Sequence, residues 1–273
     1  MRENLRIGFV GAGNMATALA RGLLSAGKID ADGIVASDVD ADRRKAFSRA
    51  TSASAVAKNA AVAQQADVLV LAVKPQQMKT VLSEIGTAVE ERHLVISIAA
   101  GVTTAFIEKY LRNGIRLIRA MPNTPVLVGA GAVGICKGRW ATDGDLDTAR
   151  RIFESSAVVV SVDEKDLDAV TAVSGSGPAY FFYFTEALIE AGIDLGLAEE
   201  HARALAIQTA MGAGRMLAES GERPQELRRC VTSPGGTTEA AIAAMTDTQV
   251  RESIIAAVKA AARRSRELGE LLA

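Results

Sequence analysis

The chain has 273 residues, 49% of them hydrophobic and 23% charged, with a formal net charge of -1. That length holds one large or two medium domains, each able to bury a core. The balanced charge argues against a nucleic-acid surface, which wants a basic excess, and no apolar stretch reaches membrane-spanning length. Cys136 and Cys230 are the only cysteines and His93 and His201 the only histidines, too few for a disulfide framework or a zinc cluster. Met1 leads almost directly into the first strand pattern, so no signal peptide is expected. These features predict a cytoplasmic protein without a metal, bound to neither nucleic acid nor membrane.

The first element carries the most information. Leu5 to Val10 is an apolar run that reads as a buried parallel strand, and Val10-Gly11-Ala12-Gly13-Asn14-Met15 turns it into a helix starting near Asn14. Gly11 permits the tight turn, Gly13 lets the backbone approach a pyrophosphate, and Ala16 lets helix and strand pack closely. The helix N-terminus then offers free N–H groups and a partial positive charge to phosphates. The pattern points to a dinucleotide.

Gly33 to Ser37 reads as a second strand and Ala53–Val56 as a short third. Ala66 to Val73 is apolar almost throughout, as a sheet covered on both faces requires. Leu94–Ile98 and Ile115–Arg119 follow, with helices expected near 76–88 and 103–111. Ala130–Cys136 and Val158–Val162 flank a charged helix at 143–155. This alternation predicts an α/β fold: a Rossmann-like, doubly wound, mostly parallel sheet with right-handed crossovers over residues 1–163.

The period changes after Val162. Leu167 to Ile193, His201 to Ala218, Pro224 to Arg229 and Thr248 to Leu272 carry apolar residues at three- and four-residue spacing. Residues 164–273 are therefore expected to be all-helical. Segments such as 202–207 and 254–258 are apolar and rich in small residues, more than one buried face needs, which makes this half a candidate dimer interface.

Several positions can carry chemistry. Asp38 lies at the expected end of the second strand, where an acidic side chain accepts from the ribose hydroxyls of NAD. Ser37 and the pair Arg43-Arg44 suit a 2′-phosphate instead, so the two cofactors stay open. Ala72-Val73-Lys74-Pro75 and Ile98-Ala99-Ala100 follow strands at the carboxyl edge, where ligands bind in open α/β sheets. Lys74 can reach phosphate or ribose, or simply be a solvated loop lysine. Met121-Pro122-Asn123-Thr124-Pro125 is a rigid loop with hydrogen-bonding groups. Ser174-Gly175-Ser176-Gly177-Pro178-Ala179-Tyr180 interrupts a long helix, with Pro178 kinking or restarting it. Thr232-Ser233-Pro234-Gly235-Gly236-Thr237-Thr238-Glu239 meets a helix N-terminus, a geometry that binds carboxylates through backbone N–H groups or serves as an ordinary cap.

Taken in order, the motifs at 11–16, 72–75, 121–125, 174–180 and 232–238 resemble those of pyrroline-5-carboxylate reductases from end to end. The resemblance implies reduction of (S)-1-pyrroline-5-carboxylate to L-proline, the last step of proline biosynthesis, by NADPH or NADH, with NADPH favoured by family habit. It implies cofactor contacts from Val10 to Met15, Asn59, Ala72 to Pro75 and Ile98 to Ala100, to which the strand-end reading adds Ser37 and Asp38. The substrate carboxylate is expected on Ser233, Gly236, Thr237 and Thr238, with the Thr238 hydroxyl near the ring nitrogen as the catalytic group. It further implies a homodimer through the helical half, 164–273, sometimes assembled into a ring of dimers. Three positions depart from relatives: Asp38 in place of a serine, Gly221 in place of a glutamate, and Cys230. The alternatives are a two-domain hydroxyacid dehydrogenase, which needs a lysine that 167–193 lacks, and a non-catalytic nucleotide sensor.

Overall fold

The computed structural model describes residues 5–272. Eight strands form one sheet: β1 (Ile7–Val10), β2 (Ile34–Ser37), β3 (Ser54–Val56), β4 (Val68–Leu71), β5 (Leu94–Ser97), β6 (Arg116–Pro122), β7 (Gly131–Lys137) and β8 (Ala157–Ser161). Their order is β3-β2-β1-β4-β5-β6-β7-β8. The chain leaves β1 for one edge, returns, and continues from β4 to the other, so the sheet reverses direction between β1 and β4. A crevice opens at such a reversal.

Alternate residues of each strand feed two cores. Phe9, Ala36, Val70 and Ile96 face one way, against Leu19 and Leu23 of α1 (Asn14–Ser25), Phe47 of α2 (Ala41–Thr51), and residues near the chain's sixth helix. Val10, Leu69, Leu71 and Val95 face the other way. They meet Val62 of α3 (Asn59–Ala63), Met78, Leu82 and Ile85 of α4 (Met78–Ile85), and Ile107 of α5 (Thr104–Glu108). On the first face, α6 (Asp143–Phe153) adds Ile152 and Phe153. Burial on both faces explains why β1, β2, β4 and β5 are apolar without alternation.

Six of the seven strand pairings are parallel; β6 and β7 pair antiparallel, with Ala120 opposite Ile135. Only residues 123–130 join them, too few for the crossover that a parallel partner needs. The sheet is therefore mostly parallel, as expected, with its one antiparallel pairing at this direct reversal. The helices expected at 76–88 and 103–111 are shorter in the structure. A 3-10 turn over Pro75–Gln77 precedes α4, and the Thr103 side chain accepts from Phe106 N–H to fix the start of α5. A capping box starts α6, where Thr142 and Asp145 exchange side-chain-to-backbone bonds.

Beyond Ser161, every regular element among the described residues is helical. A short α7 (Leu167–Val170) passes into a π-helical turn over Thr171–Gly175, closed by Ser176 N–H donating to the Thr171 carbonyl at 2.8 Å. The interruption expected at 174–180 is this turn, and α8 (Gly177–Asp194) restarts directly after it. Then follow α9 (Glu199–Glu219), α10 (Pro224–Cys230), α11 (Thr237–Asp247) and α12 (Val250–Leu272).

By contacts, residues through Ser176 with Ala261 onward form one compact unit, and Gly177–Ala260 form a second. Within the second, α8 packs on α9, with Gly192 facing Ala202 closely enough that a Cβ would sit 3.0 Å from the alanine's. Most other apolar side chains of that unit are bare: Phe181 is 68% exposed, Tyr183 76%, and Phe182, Phe184, Leu205 and Met211 are exposed as well. The four consecutive exposed aromatics, Phe181 to Phe184, cover most of a helix circumference, the pattern of a helix meant to be enclosed.

Candidate functional site

The turn from β1 to α1 is built for close approach. Gly11 has φ +102°, a left-handed value that favours glycine, and its N–H donates to the Ser37 carbonyl at 2.8 Å. A Cβ on Gly11 would lie 2.7 Å from the Ala72 carbonyl oxygen. Helix α1 then begins with Gly13 as its cap. That cap makes no side-chain hydrogen bond, and the first turn holds no acidic residue. The N–H groups there and the positive end of the helix dipole are left for a ligand.

The end of β2 supplies the polar wall. Asp38 is buried, and its Oδ2 accepts from Ala12 N–H at 3.1 Å while Oδ1 accepts from Asp40 N–H at 3.0 Å. Ser37 Oγ donates to Asn59 Oδ1 at 2.8 Å, and Asn59 Nδ2 donates to Glu84 Oε2 at 2.6 Å. Asn59 is thereby held at the start of α3 with its amide oriented. Backbone N–H groups of Asp42 and Arg43 hold the Asp40 carboxyl below its ordinary range. From β4, Ala72 N–H continues the ladder to the Val10 carbonyl at 2.8 Å, and exposed Lys74 makes no ion pair among the described residues.

These groups surround one cavity of about 920 Å³ at the carboxyl ends of β1, β2 and β4, a size that suits a large cofactor. Gly11, Ala12, Gly13, Asn14, Ser37, Asp38, Asn59, Ala72, Val73 and Lys74 all border it. The structure does not place Val10, Met15, Pro75, Ile98, Ala99 or Ala100 in its lining. Val10 is fully buried in β1, Met15 leans on the core, and Ile98–Ala100 follow β5, with Ile98 N–H donating to the Leu71 carbonyl at 3.2 Å.

Arg43, named from the sequence as a possible phosphate partner, lines the cavity too. From Asn14 a polar stripe continues at helical spacing along α1 through Thr17, Arg21 and Ser25, which the sequence reading does not single out. Nor does it single out Val126, Leu127, Ser155 and Ser156, which also contribute. The stripe is readable as a three-to-four-residue period. The contributions from 126–129 and 155–156 are long-range and leave no local trace.

Asn123 is used internally. Its Nδ2 donates to the Ser174 carbonyl at 3.1 Å and its Oδ1 accepts from Ala132 N–H at 2.9 Å, so it braces the end of β6 against β7 and the π turn.

In the second unit, residues 232–238 lead into α11, whose cap, Gly236, makes no side-chain hydrogen bond. Gly236 N–H donates to the Ser233 carbonyl at 3.0 Å, and the Glu239 carboxylate turns back to Gly235 N–H at 2.7 Å. The one acidic group of the first turn is thus occupied, and Thr238 is half-buried beside the open N–H groups. Gly221 has φ +71°, which accounts for glycine there, and Cys230 is exposed at the end of α10.

Among the described residues, no group of three or more His, Cys, Asp or Glu side chains is placed to hold a metal, and no helix is long and apolar enough to cross a membrane.

A sheet that reverses direction beside an uncapped glycine turn, with a fixed carboxylate after its second strand, defines a dinucleotide-binding protein of the Rossmann type. Comparison with known proteins narrows this. A family model described as pyrroline-5-carboxylate reductase dimerisation matches residues 164–268, and one described as NADP oxidoreductase coenzyme F420-dependent matches 6–101. A pyrroline-5-carboxylate reductase from Methanosarcina acetivorans is 41% identical over 98% of this chain and 99% of its own. The solved structure of a pyrroline-5-carboxylate reductase from Coxiella burnetii matches with TM-score 0.92 and 40% identity, covering 97% of this chain and 99% of that one. One from Plasmodium falciparum, with NADP bound, matches with TM-score 0.87 and 32% identity over 98% and 99%. The chain belongs to the pyrroline-5-carboxylate reductase family.

Proposed function

We propose that this protein reduces (S)-1-pyrroline-5-carboxylate to L-proline in the cytoplasm, using NADPH and, as a second donor, NADH. The observation that carries the reading is family membership across the whole chain, at 41% identity over 98% of it. The hydroxyacid-dehydrogenase and sensor alternatives lose their footing with that membership. Residues 1–163 are the nucleotide-binding domain and 164–273 the helical domain that binds substrate and dimerises; the dimerisation match at 164–268 supports that division.

The glycine turn at 11–13 and the open α1 N-terminus hold the cofactor's phosphates, with Val10, Asn14 and Met15 completing the turn. Ser37, Asp38 and Asn59 take the ribose end, and Ala72–Pro75 and Ile98–Ala100 take the remainder. When bound, NADPH supplies a hydride to the imine carbon. A protonated cyclic imine is already electrophilic, so the protein's contribution is placement, which fits a site without histidine or reactive cysteine.

The open N–H groups around Gly236 to Thr238 bind the substrate carboxylate, with Ser233 shaping the loop. The Thr238 hydroxyl holds the ring nitrogen and the proton on it. The bare aromatics of α8 are covered in a homodimer, and dimers can close into a ring.

The test follows oxidation of NADPH and NADH with pyrroline-5-carboxylate. We expect turnover by the native protein and a loss of about 2–3 kcal/mol in kcat/KM for Thr238→Ala, the scale of one preorganised donor. A folded protein that binds nucleotide but turns over neither cofactor refutes the reading.

A further inference from the structure

The end of the cavity beside β2 holds a charge arrangement that reduction itself does not explain. The Asp38 carboxylate is buried, and both of its oxygens are engaged by backbone N–H groups of Ala12 and Asp40. It is fixed in place and cannot swing away from a ligand. An acidic group here suits a ribose with free hydroxyls and disfavours one that carries a phosphate.

Two arginines follow, and they differ in what holds them. Arg44 Nη1 donates to the carbonyl oxygens of Asp38 and Val39 at 2.7 and 3.0 Å. Its guanidinium braces the loop, and it does not border the cavity. Arg43 does border the cavity, is half-exposed, and approaches carboxylates only at 3.7 Å (Asp40) and 3.9 Å (Asp38). Those separations are too long for hydrogen bonds, and exposed ion pairs of this kind are weak. The fork of Arg43 can therefore turn to a phosphate, for which its geometry is suited. Its charge nevertheless stays opposed by two carboxylates, one of them immobile.

We propose that Arg43, and not Arg44, reads the 2′-phosphate of NADPH in this chain, and that Asp38 keeps the preference for NADPH over NADH small. Arg43 provides attraction for the phosphorylated cofactor, and Asp38 provides both a ribose partner for NADH and a standing repulsion of the phosphate. The inference rests on the reductase reading only for the class of cofactor.

The experiment titrates the oxidised cofactors NADP+ and NAD+, which carry no hydride to give, into the full-length protein by calorimetry. Arg43→Gln, Arg43→Lys and Asp38→Asn are compared with the native chain, each checked by circular dichroism. Arg43→Gln should weaken NADP+ about tenfold or more, the scale of one charge-assisted contact, with NAD+ changed less than about twofold, and Arg43→Lys should recover part of the loss. Asp38→Asn should raise the NADP+ to NAD+ affinity ratio about tenfold or more, since a like charge has been removed. A folded Arg43→Gln variant with an unchanged ratio overturns the proposal, as does an Asp38→Asn variant whose ratio fails to rise. Native protein that shows the expected cofactor pattern yet reduces no pyrroline-5-carboxylate supports this inference while refuting the reductase reading; native protein that binds neither cofactor overturns the inference.

Discussion

Cys136 illustrates how burial decides a side chain's role. It stands opposite Arg119 across the β6–β7 pairing, and burial pushes its thiol up to about 12, with the Glu164 carboxylate adding to the rise and Arg119 opposing it. A thiol kept protonated is a poor nucleophile, so Cys136 packs and does not react. Its ordinary value is 9.0, so an unfolded chain ionises it first. Because the folded value is the higher one, the stabilisation is complete below pH 9.0 and is lost as pH rises toward about 12. Thermal unfolding followed by circular dichroism should therefore show a midpoint falling across that window, and falling less steeply in Cys136→Ala; equal slopes would clear Cys136 of the effect. At this scale the sequence is informative wherever a motif is local. Gly11, Gly13, Asp38 and Lys74 all border the cavity from positions that a strand–turn–helix pattern marks. Asn59 gives no such signal, because its orientation comes from Ser37 on a neighbouring strand and Glu84 on α4.

Between elements, the pairing of buried Arg119 with half-buried Glu164 does the joining. Arg119 on β6 is 7% exposed and its Nη1 meets Glu164 Oε1 at 3.0 Å. The same carboxylate accepts from Thr104 N–H at 2.7 Å and from its hydroxyl at 2.6 Å, so one side chain ties β6 to the start of α5. Removing its charge leaves Arg119 buried without compensation, and Glu164→Gln should lower stability by about 2 kcal/mol in urea denaturation. A loss within 0.5 kcal/mol, the ordinary scatter of surface substitutions, would show that the pair is replaceable. Strand existence was legible here because both-face burial makes β1, β4 and β5 continuously apolar. Strand direction was not: β7 looks like its neighbours in composition, and only the brevity of 123–130 marks the reversal. The π turn was foreshadowed as an interruption by its small residues, while its wider ring, closed from Ser176 to Thr171, depends on hydrogen bonding that residue types do not specify.

For the molecule as a whole, the bare aromatics of α8 predict association. Light scattering coupled to size exclusion should report at least twice the 28.5 kDa of one chain, and Phe182→Asp should shift the species toward a single chain with loss of turnover. A native protein that runs as one chain at micromolar concentration would contradict the proposed dimer. The apolar excess of the helical half was readable from residue spacing; the number of copies was not, since it depends on how faces meet. The sheet's two margins carry a different consequence. One ends in β3, only three residues long, but the other ends in β8, where Val158 is 71% and Val160 48% exposed on either side of buried Val159. Arg150 covers part of this margin, its Nη1 donating to the Val159 carbonyl at 2.9 Å and its Nη2 to Ser161 Oγ at 2.7 Å. No charged residue lies within the strand itself, however, to discourage an extended segment from adding beside Val158. Heating should therefore produce turbidity through this border before the nucleotide-binding core is lost. Val158→Lys should delay the turbidity while leaving the circular-dichroism midpoint unmoved, which would place the protein's colloidal limit at the rim of its sheet.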